Sequence, residues 1–437
     1  MTDPRELSSS TFRLRAFAGL FIRLASRGTA ENQNRSKTGF ACDARSARAA
    51  RATRVLLFSH DGFGLGHVRR NTLIAGKLLE ADPKASVTIV TGVTCPLPWR
   101  LPPNVQVRQI PALIKDGTGA YHGVGMSAFA AGQARRDYFL AAVRETRPDV
   151  VLIDRHPYGI QGELREGLSE AARLGARLVL GLRDVLDEPE AVAREIAGPG
   201  WDGFEVAGWT VLVYGCQSFL DHQLEYRIPA EPSYCGWVAD DLGPGDSRIK
   251  PEDRLLVVAA GGGGDGAAIY RLGIDFAATQ PEWTVELLVG PLARRALGPD
   301  FGRSVLPGRL RITVSPPTAA APFARAHAIV QMAGYNSTLE ALVAGRRPVF
   351  VPRRQPRQEQ LIRASLLAGL DLADVLGEDR QLEHLEALLR KPRLVNRDDL
   401  RRAGLDLGGA RRAAAHLLGR AVEPPPVSAR RVAEVQP

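Results

Sequence analysis

The chain has 437 residues, which at roughly 100 to 200 residues per domain argues for two or three domains and excludes a single small module. It is 45% hydrophobic and 24% charged, an ordinary globular composition that excludes collagenous, disordered and disulfide-dense classes. The net charge of +9 belongs to the ends, since residues 1–53 carry +6 and 401–437 carry +4, leaving 54–400 at −1. A basic groove for nucleic acid is therefore not expected in the folded body, and no zinc-finger spacing or RNA-recognition aromatic motif suggests one. Cys42, Cys95, Cys216 and Cys235 lie far apart without a CxxC pair. Neither a metal ribbon nor a disulfide framework is indicated, and a reducing, cytoplasmic setting suits them.

The N-terminal extension, 1–53, is basic. Its residues 11–27 place Phe12, Phe17, Leu20, Phe21 and Leu24 largely on one helical face with arginines around them, the pattern of an interfacial amphipathic helix. It reads either as a peripheral contact on the inner face of a membrane or as a disordered N-terminal extension, and residues 11–27 are acid-free, like a transit peptide. Apolar runs such as 150–153 and 255–260 fall well short of the ~20 residues needed to span a bilayer.

From Arg54 the pattern changes. VLLFS (55–59), VTIVT (87–91), VQVRQI (105–110), DVVLID (149–154), RLVLGL (177–182) and TVLVYG (210–215) are short apolar runs, most of them separated by helix-length segments. After a Gly-, Asp- and Pro-rich linker the pattern restarts with LLVVAA (255–260), TVELLVG (284–290), LRITVS (310–315), AIVQM (328–332) and RPVFVP (347–352). Such alternation predicts an α/β protein with two Rossmann-like parallel-sheet domains. The expected boundaries are 54–240 for the first, 241–251 for the linker and 252–395 for the second. Residues 396–437 are expected to hold a helix and a disordered tail.

Three segments carry candidate chemistry. The first is SHDGFGLGHVRRN (59–71), in which Gly62, Gly64 and Gly66 let the backbone approach a ligand and the following helix offers its amides. His67 stands where a dinucleotide fingerprint wants its last glycine, and no acidic residue ends the second strand, so an NAD site is disfavoured. His67, with Asp61 nearby, lies on the strand's carboxyl edge, where open α/β sheets bind ligands, and suits a general base. The second is the glycine run 261–264 after a strand and before a helix; Gly263, Gly264 and Gly266 suit phosphate binding through amides, with Asp265 among them. The third is QMAGYNSTLEALVAGRRPVFVPRRQPRQEQ (331–360), where Gly334, Tyr335, Asn336 and Ser337 turn onto a helix bearing Glu340, and Gln358 and Gln360 follow the next strand. On the first sheet's edge, Asp154 with Arg155 and His156 could orient a histidine or the acceptor. Arg183 and Asp184 either order the acceptor or form a structural ion pair.

Taken together, the His-ended glycine loop, the glycine run opening the second half, and G-x(5)-E-x(4)-G followed by VP and a Gln-rich loop resemble the GT-B glycosyltransferases, specifically the MurG-like branch. The phrases SHDGFGLGHVRRN, DRHPYGIQGEL and GLRDVLDEPE resemble a subgroup of predicted glycosyltransferases. The resemblance implies two domains facing a cleft and inverting, metal-independent transfer from a nucleotide-diphosphate sugar, UDP-linked in the closest pattern, with no further cofactor. It implies Glu340 on the ribose, Gly334 to Ser337 with Gly263, Gly264 and Gly266 on the diphosphate, and Gln358 and Gln360 on the sugar. His67 then faces the cleft as base, with Asp61 and Asp154 as further catalytic candidates and Gly64, Gly66, Arg183 and Asp184 on the acceptor side. The acceptor is a glycan, a lipid or a small molecule. A nucleotide-sugar epimerase on the same fold and a non-catalytic sugar-nucleotide-binding protein are the rival expectations.

Overall fold

The computed structural model describes residues 51–60, 64–115, 121–240, 249–262, 264, 266–293, 308–377, 382–390, 394–422 and 425. The amphipathic segment 11–27, Asp61, Gly263, Asp265 and most of the linker lie outside them. The chain divides into two units, Met1–Arg51 and Ala52–Pro437, and the second carries all that follows. No helix among the described residues is long and apolar enough to cross a membrane.

The first half opens with β1 (Arg54–Ser59), α1 (Gly66–Ala81), β2 (Ser86–Thr91) and β3 (Val105–Gln109). A small antiparallel hairpin, β4 (Leu113–Lys115) and β5 (Tyr121–Gly123), stands apart from the main sheet. Then come α2 (Ala128–Thr146), β6 (Val150–Asp154), α3 (Arg165–Arg173), β7 (Arg177–Arg183), α4 (Pro189–Ile196), β8 (Thr210–Tyr214), α5 (His222–Tyr226) and β9 (Pro232–Tyr234). The strand order is β3-β2-β1-β6-β7-β8-β9 with every neighbour parallel. Val55 lies opposite Val87 on one side and Val150 on the other. Strands of this kind are covered on both faces, which is why they read as continuous apolar runs.

The second half repeats the plan with β10 (Leu255–Ala259), α6 (Ala267–Thr279), β11 (Thr284–Val289), β12 (Leu310–Val314), α7 (Ala320–Arg325) and β13 (Ala328–Gln331). It continues through α8 (Tyr335–Val343), β14 (Val349–Phe350), α9 (Glu359–Gly369), β15 (Asp374–Val375) and α10 (Leu382–Leu389). Its parallel order is β12-β11-β10-β13-β14-β15. In both sheets the order reverses beside the first strand, between β1 and β6 and between β10 and β13. A ligand crevice forms outside the carboxyl ends of the strands at such a switch point.

Every strand expected from the sequence is present. The unanticipated ones, β4, β5, β9 and β15, have two or three residues each, too few to show a period. The C-terminal segment does more than end the chain. After α11 (Arg397–Arg402), it returns to the first half, where α12 (Gly409–Leu417) packs along α1. Trp237 and Gly409 anchor it: Trp237 N donates to Asp406 O at 2.7 Å and Gly409 N to Trp237 O at 2.9 Å. A Cβ on Gly409 would come within 2.3 Å of Gly236 O, so only glycine admits the helix at this approach.

The two halves meet through buried polar contacts. Arg363 of α9 holds Asp184 with two bonds of 2.8 and 2.7 Å, and both side chains are 1% exposed. The Tyr335 hydroxyl donates to Tyr214 O at 2.9 Å and accepts from Val238 N at 2.9 Å. Breaking a buried pair by removing one partner costs about 3 to 5 kcal/mol, because the remaining charge is uncompensated. Asp184→Ala should lose stability on that scale in denaturant unfolding, whereas Asp184→Leu combined with Arg363→Met should lose less. A single variant within about 0.5 kcal/mol of wild type would show that the pair does not brace the halves.

Candidate active site

A cleft of about 430 Å³ lies where the carboxyl edges of the two sheets face each other. The loop after β1 and the start of α1 form one wall, and the glycine loop after β10 and the start of α8 form the other. Helix α1 is tied under the cleft by Asn71, whose Nδ2 donates to Ser59 Oγ at 2.8 Å.

His67, the second residue of α1, lines this cleft, and its side chain is 18% exposed. Its Nδ1 lies 3.0 Å from Asp154 Oδ2 at the end of β6. Arg70, one helical turn on, places Nη2 2.5 Å from the same oxygen and 3.1 Å from His67 Nδ1. Burial alone raises the Asp154 carboxyl, but Arg70 and His67 outweigh it and bring it down to about 2. Arginine only donates, so Arg70 bonds Nδ1 only when that nitrogen is bare; a carboxylate kept ionised beside Nδ1 favours the alternative, with the proton on Nδ1 shared with Asp154 and Nε2 as the basic nitrogen. The Arg70 guanidinium is itself held between the Tyr214 and Tyr335 rings, at 5.0 and 5.1 Å from their centroids.

On the opposite wall, Gly334 caps α8, and Asn336 Nδ2 donates across the cleft to Gly66 O at 3.1 Å. Gly64, Gly66, Tyr335 and Ser337 also line the cleft. Of the glycine run, Gly261 and Gly262 line it. Among the described residues Gly264 and Gly266 do not; Gly266 caps α6, where an added Cβ would lie 2.2 Å from Ala260 Cβ. Glu340 lines the cleft from the second turn of α8 rather than the first, so a dipole-complementing role does not account for it. It accepts from Thr318 Oγ1 at 3.1 Å and Ala319 N at 3.3 Å. Burial raises its carboxyl above the usual range, opposed by Arg69 and these two donors.

Gln360 lines the cleft, and its Oε1 accepts from Arg353 N at 3.1 Å. Gln358 serves through its backbone, whose N–H donates to Asp187 Oδ1 of the first half at 2.8 Å. Asp184 is taken up by Arg363, not by its neighbour Arg183, which instead lines the cleft. Two further histidines stand near this edge. His60 and His156 meet edge to face at 5.2 Å, and burial holds His60 well below its ordinary value and His156 down to about 3, so both are neutral.

The sequence did not single out Arg69, Trp99, Thr318 or Arg357, all of which line the cleft. Arg69 lies 4.9 Å over the Trp99 ring and donates to Asp240 Oδ2 at 2.9 Å. The one local signal was the Arg-Arg pair directly after His67-Val68; the others come from loops far apart in the chain.

No protein-family model matches the chain, and no curated protein matches it by sequence. Solved structures do. The glycotransferase of kitacinnamycin superposes with a TM-score of 0.57 at 17% identity, over 84% of this chain and 99% of that one. A UDP-glucose:anthocyanidin 3-O-glucosyltransferase in complex with UDP gives 0.51 at 12% identity, over 84% and 94%. The chain has the two-domain GT-B fold. MurG of Acinetobacter baumannii also aligns, at 18% identity over 84% of this chain and 98% of that one, with a TM-score of 0.48. Within the GT-B frame the cleft described above is the space between the two Rossmann-like domains.

The depressed Asp154 carboxyl sets an acid limit on stability. Because its folded value of about 2 lies below the ordinary one, its contribution is fully present above the unfolded pKa of about 3.9 and is lost as pH falls towards 2. That contribution is roughly 2 to 3 kcal/mol. Melting curves from pH 6 to pH 2 should show the gap between wild type and Asp154→Asn closing below about pH 4. A gap independent of pH would mean that Asp154 is not ionised in the folded protein.

Proposed function

We propose that this protein is an inverting glycosyltransferase that moves a sugar from a nucleoside-diphosphate sugar to an acceptor hydroxyl without a metal ion. The observation that carries this reading is the His67–Asp154 pair, 3.0 Å apart, on one wall of an interdomain cleft whose other wall is a glycine loop and a helix N-terminus. A UDP complex of the anthocyanidin glucosyltransferase and a UDP-2-fluoro-glucose complex of a Phytolacca americana enzyme of the same fold support a nucleoside-diphosphate donor.

In this reading, Nε2 of His67 takes the proton of the acceptor hydroxyl as its oxygen attacks the anomeric carbon. The bond from that carbon to the diphosphate breaks in the same displacement, which inverts the centre. Asp154 stabilises the imidazolium that forms. The leaving diphosphate meets amides at Gly261, Gly262 and the start of α8; fixed dipoles of this kind act on charge as it develops. Glu340 is suited to the two ribose hydroxyls. An epimerase needs a carboxylate free to abstract a proton. Asp154, Asp184 and Glu359 are each held by an arginine, and Glu340 by Thr318 and Ala319.

A thermal-shift screen against nucleoside diphosphates and their sugars tests the donor. A ligand at ~100 Kd should add about 2.7 kcal/mol, and Glu340→Ala should reduce its binding by roughly 1.5 to 3 kcal/mol. If no nucleotide raises the melting temperature, the function proposed here fails. His67→Ala tests the base. Turnover should fall by ~10² to 10⁴ while donor affinity stays near wild type. Parallel loss of donor binding would make His67 a positioning residue.

A further inference from the structure

The cleft holds more positive charge at one end than its own carboxylates match. Arg70 is paired with Asp154, Arg155 with Glu195 at 2.8 Å, Arg353 with Glu359 at 2.6 Å, and Arg363 with Asp184 at 2.7 Å. Arg183 and Arg357 line the same end and have no carboxylate within ion-pair distance among the described residues. The Arg183 guanidinium makes no hydrogen bond there either, and its Nε is buried without a partner. Among the described residues Arg357 is bonded only to the Tyr121 hydroxyl.

These two cations are held against both desolvation and like charge. Burial, then repulsion from Arg155, Arg363 and Arg70, brings Arg183 down to about 9, against the pull of Glu359. For Arg357 the repulsion of Arg155 is the leading cause of a lowered value, followed by burial, with Glu195, Tyr121 and Glu359 opposing. Both side chains are half-buried in the cleft wall, and a cation partly withdrawn from water without a counter-ion is one that a ligand's anion can relieve. Arginine presents a planar fork that fits a carboxylate or phosphate with two parallel bonds.

The surroundings separate this end from the amides assigned to the diphosphate. Those amides belong to the second half, after β10 and at the start of α8. Arg183 closes β7 of the first half, and Arg357, although carried by the loop before α9, faces Tyr121, Arg155 and Glu195 of the first half. The neutral His60 lines the cleft as well, and adds hydrogen-bonding capacity without charge.

We propose that the Arg183 and Arg357 end of the cleft takes an acidic group, a carboxylate or a phosphate, in addition to the donor diphosphate. The substrate is then an acidic sugar or an acidic acceptor. This rests on the glycosyltransferase reading above and narrows its substrate class.

Calorimetric titration of the full chain decides between the two sources. One arm compares UDP-glucuronate with UDP-glucose, which differ in a carboxylate on the sugar. The other adds glucuronate, inorganic phosphate or glucose to protein saturated with UDP. At least one acidic probe should bind tenfold or more tightly than its neutral counterpart. In R183Q and R357Q that preference should shrink, and in the double variant fall to within twofold, with UDP affinity and the melting temperature of the free protein kept. Preference in the first arm places the acid on the transferred sugar, and preference in the second places it on the acceptor. The proposal is overturned if neither arm shows a preference, if the preference survives R183Q/R357Q, or if UDP affinity falls in proportion, which would assign both arginines to the diphosphate. If UDP does not bind at all, the glycosyltransferase reading fails by itself. Glucuronate and phosphate titrated against the free protein and the double variant then still decide the arginine pair.

Discussion

Asp154 ends β6 and Asp184 directly follows the neighbouring strand β7, and both are buried in the folded chain. A charge removed from water in this way is tolerated only with a matched partner. The partners come from different places, Arg70 from the helix that opens the first half and Arg363 from a helix of the second. One pair fixes the histidine at the cleft, and the other fixes the second half against the first. The geometry of the site and the docking of the halves therefore rest on the same requirement, that two adjacent buried carboxylates be answered by arginines.

That coupling explains why several residues of the second half serve the interface and the cleft together. Tyr335 begins α8 yet bonds Tyr214 and Val238, and its ring flanks Arg70. Asn336 reaches Gly66, one residue before His67. A small displacement of α8 would carry these contacts with it, so the helix N-terminus that faces the proposed diphosphate is linked mechanically to the helix that carries the proposed base. The returning C-terminal segment adds a third tie, with α12 packed along α1.

The polarity of the cleft follows from the same arrangement. Arginines recruited to neutralise buried acids are concentrated at one end, and two more stand there without a matching acid among the described residues. At the other end Glu340 is screened by Arg69, Thr318 and Ala319. The positive charge of the cleft is thus unevenly placed along its length.

The sequence by itself determined the architecture. Apolar runs buried on both faces, separated by helix-length segments and punctuated by glycine, specify two parallel sheets, because alternation and run length are local properties. The same locality made His67, Gly334 and Glu340 visible, since each lies just past a strand in a motif contiguous along the chain. What lies far apart in the chain stayed hidden. The pairing of Asp184 with Arg363 rather than Arg183 joins residues 179 positions apart, and Arg70 on Asp154 joins residues 84 apart. No periodicity encodes which arginine answers which buried acid. That choice was decided by the tertiary structure, where the cost of leaving a charge unpaired selects the partner within reach once the two sheets face each other.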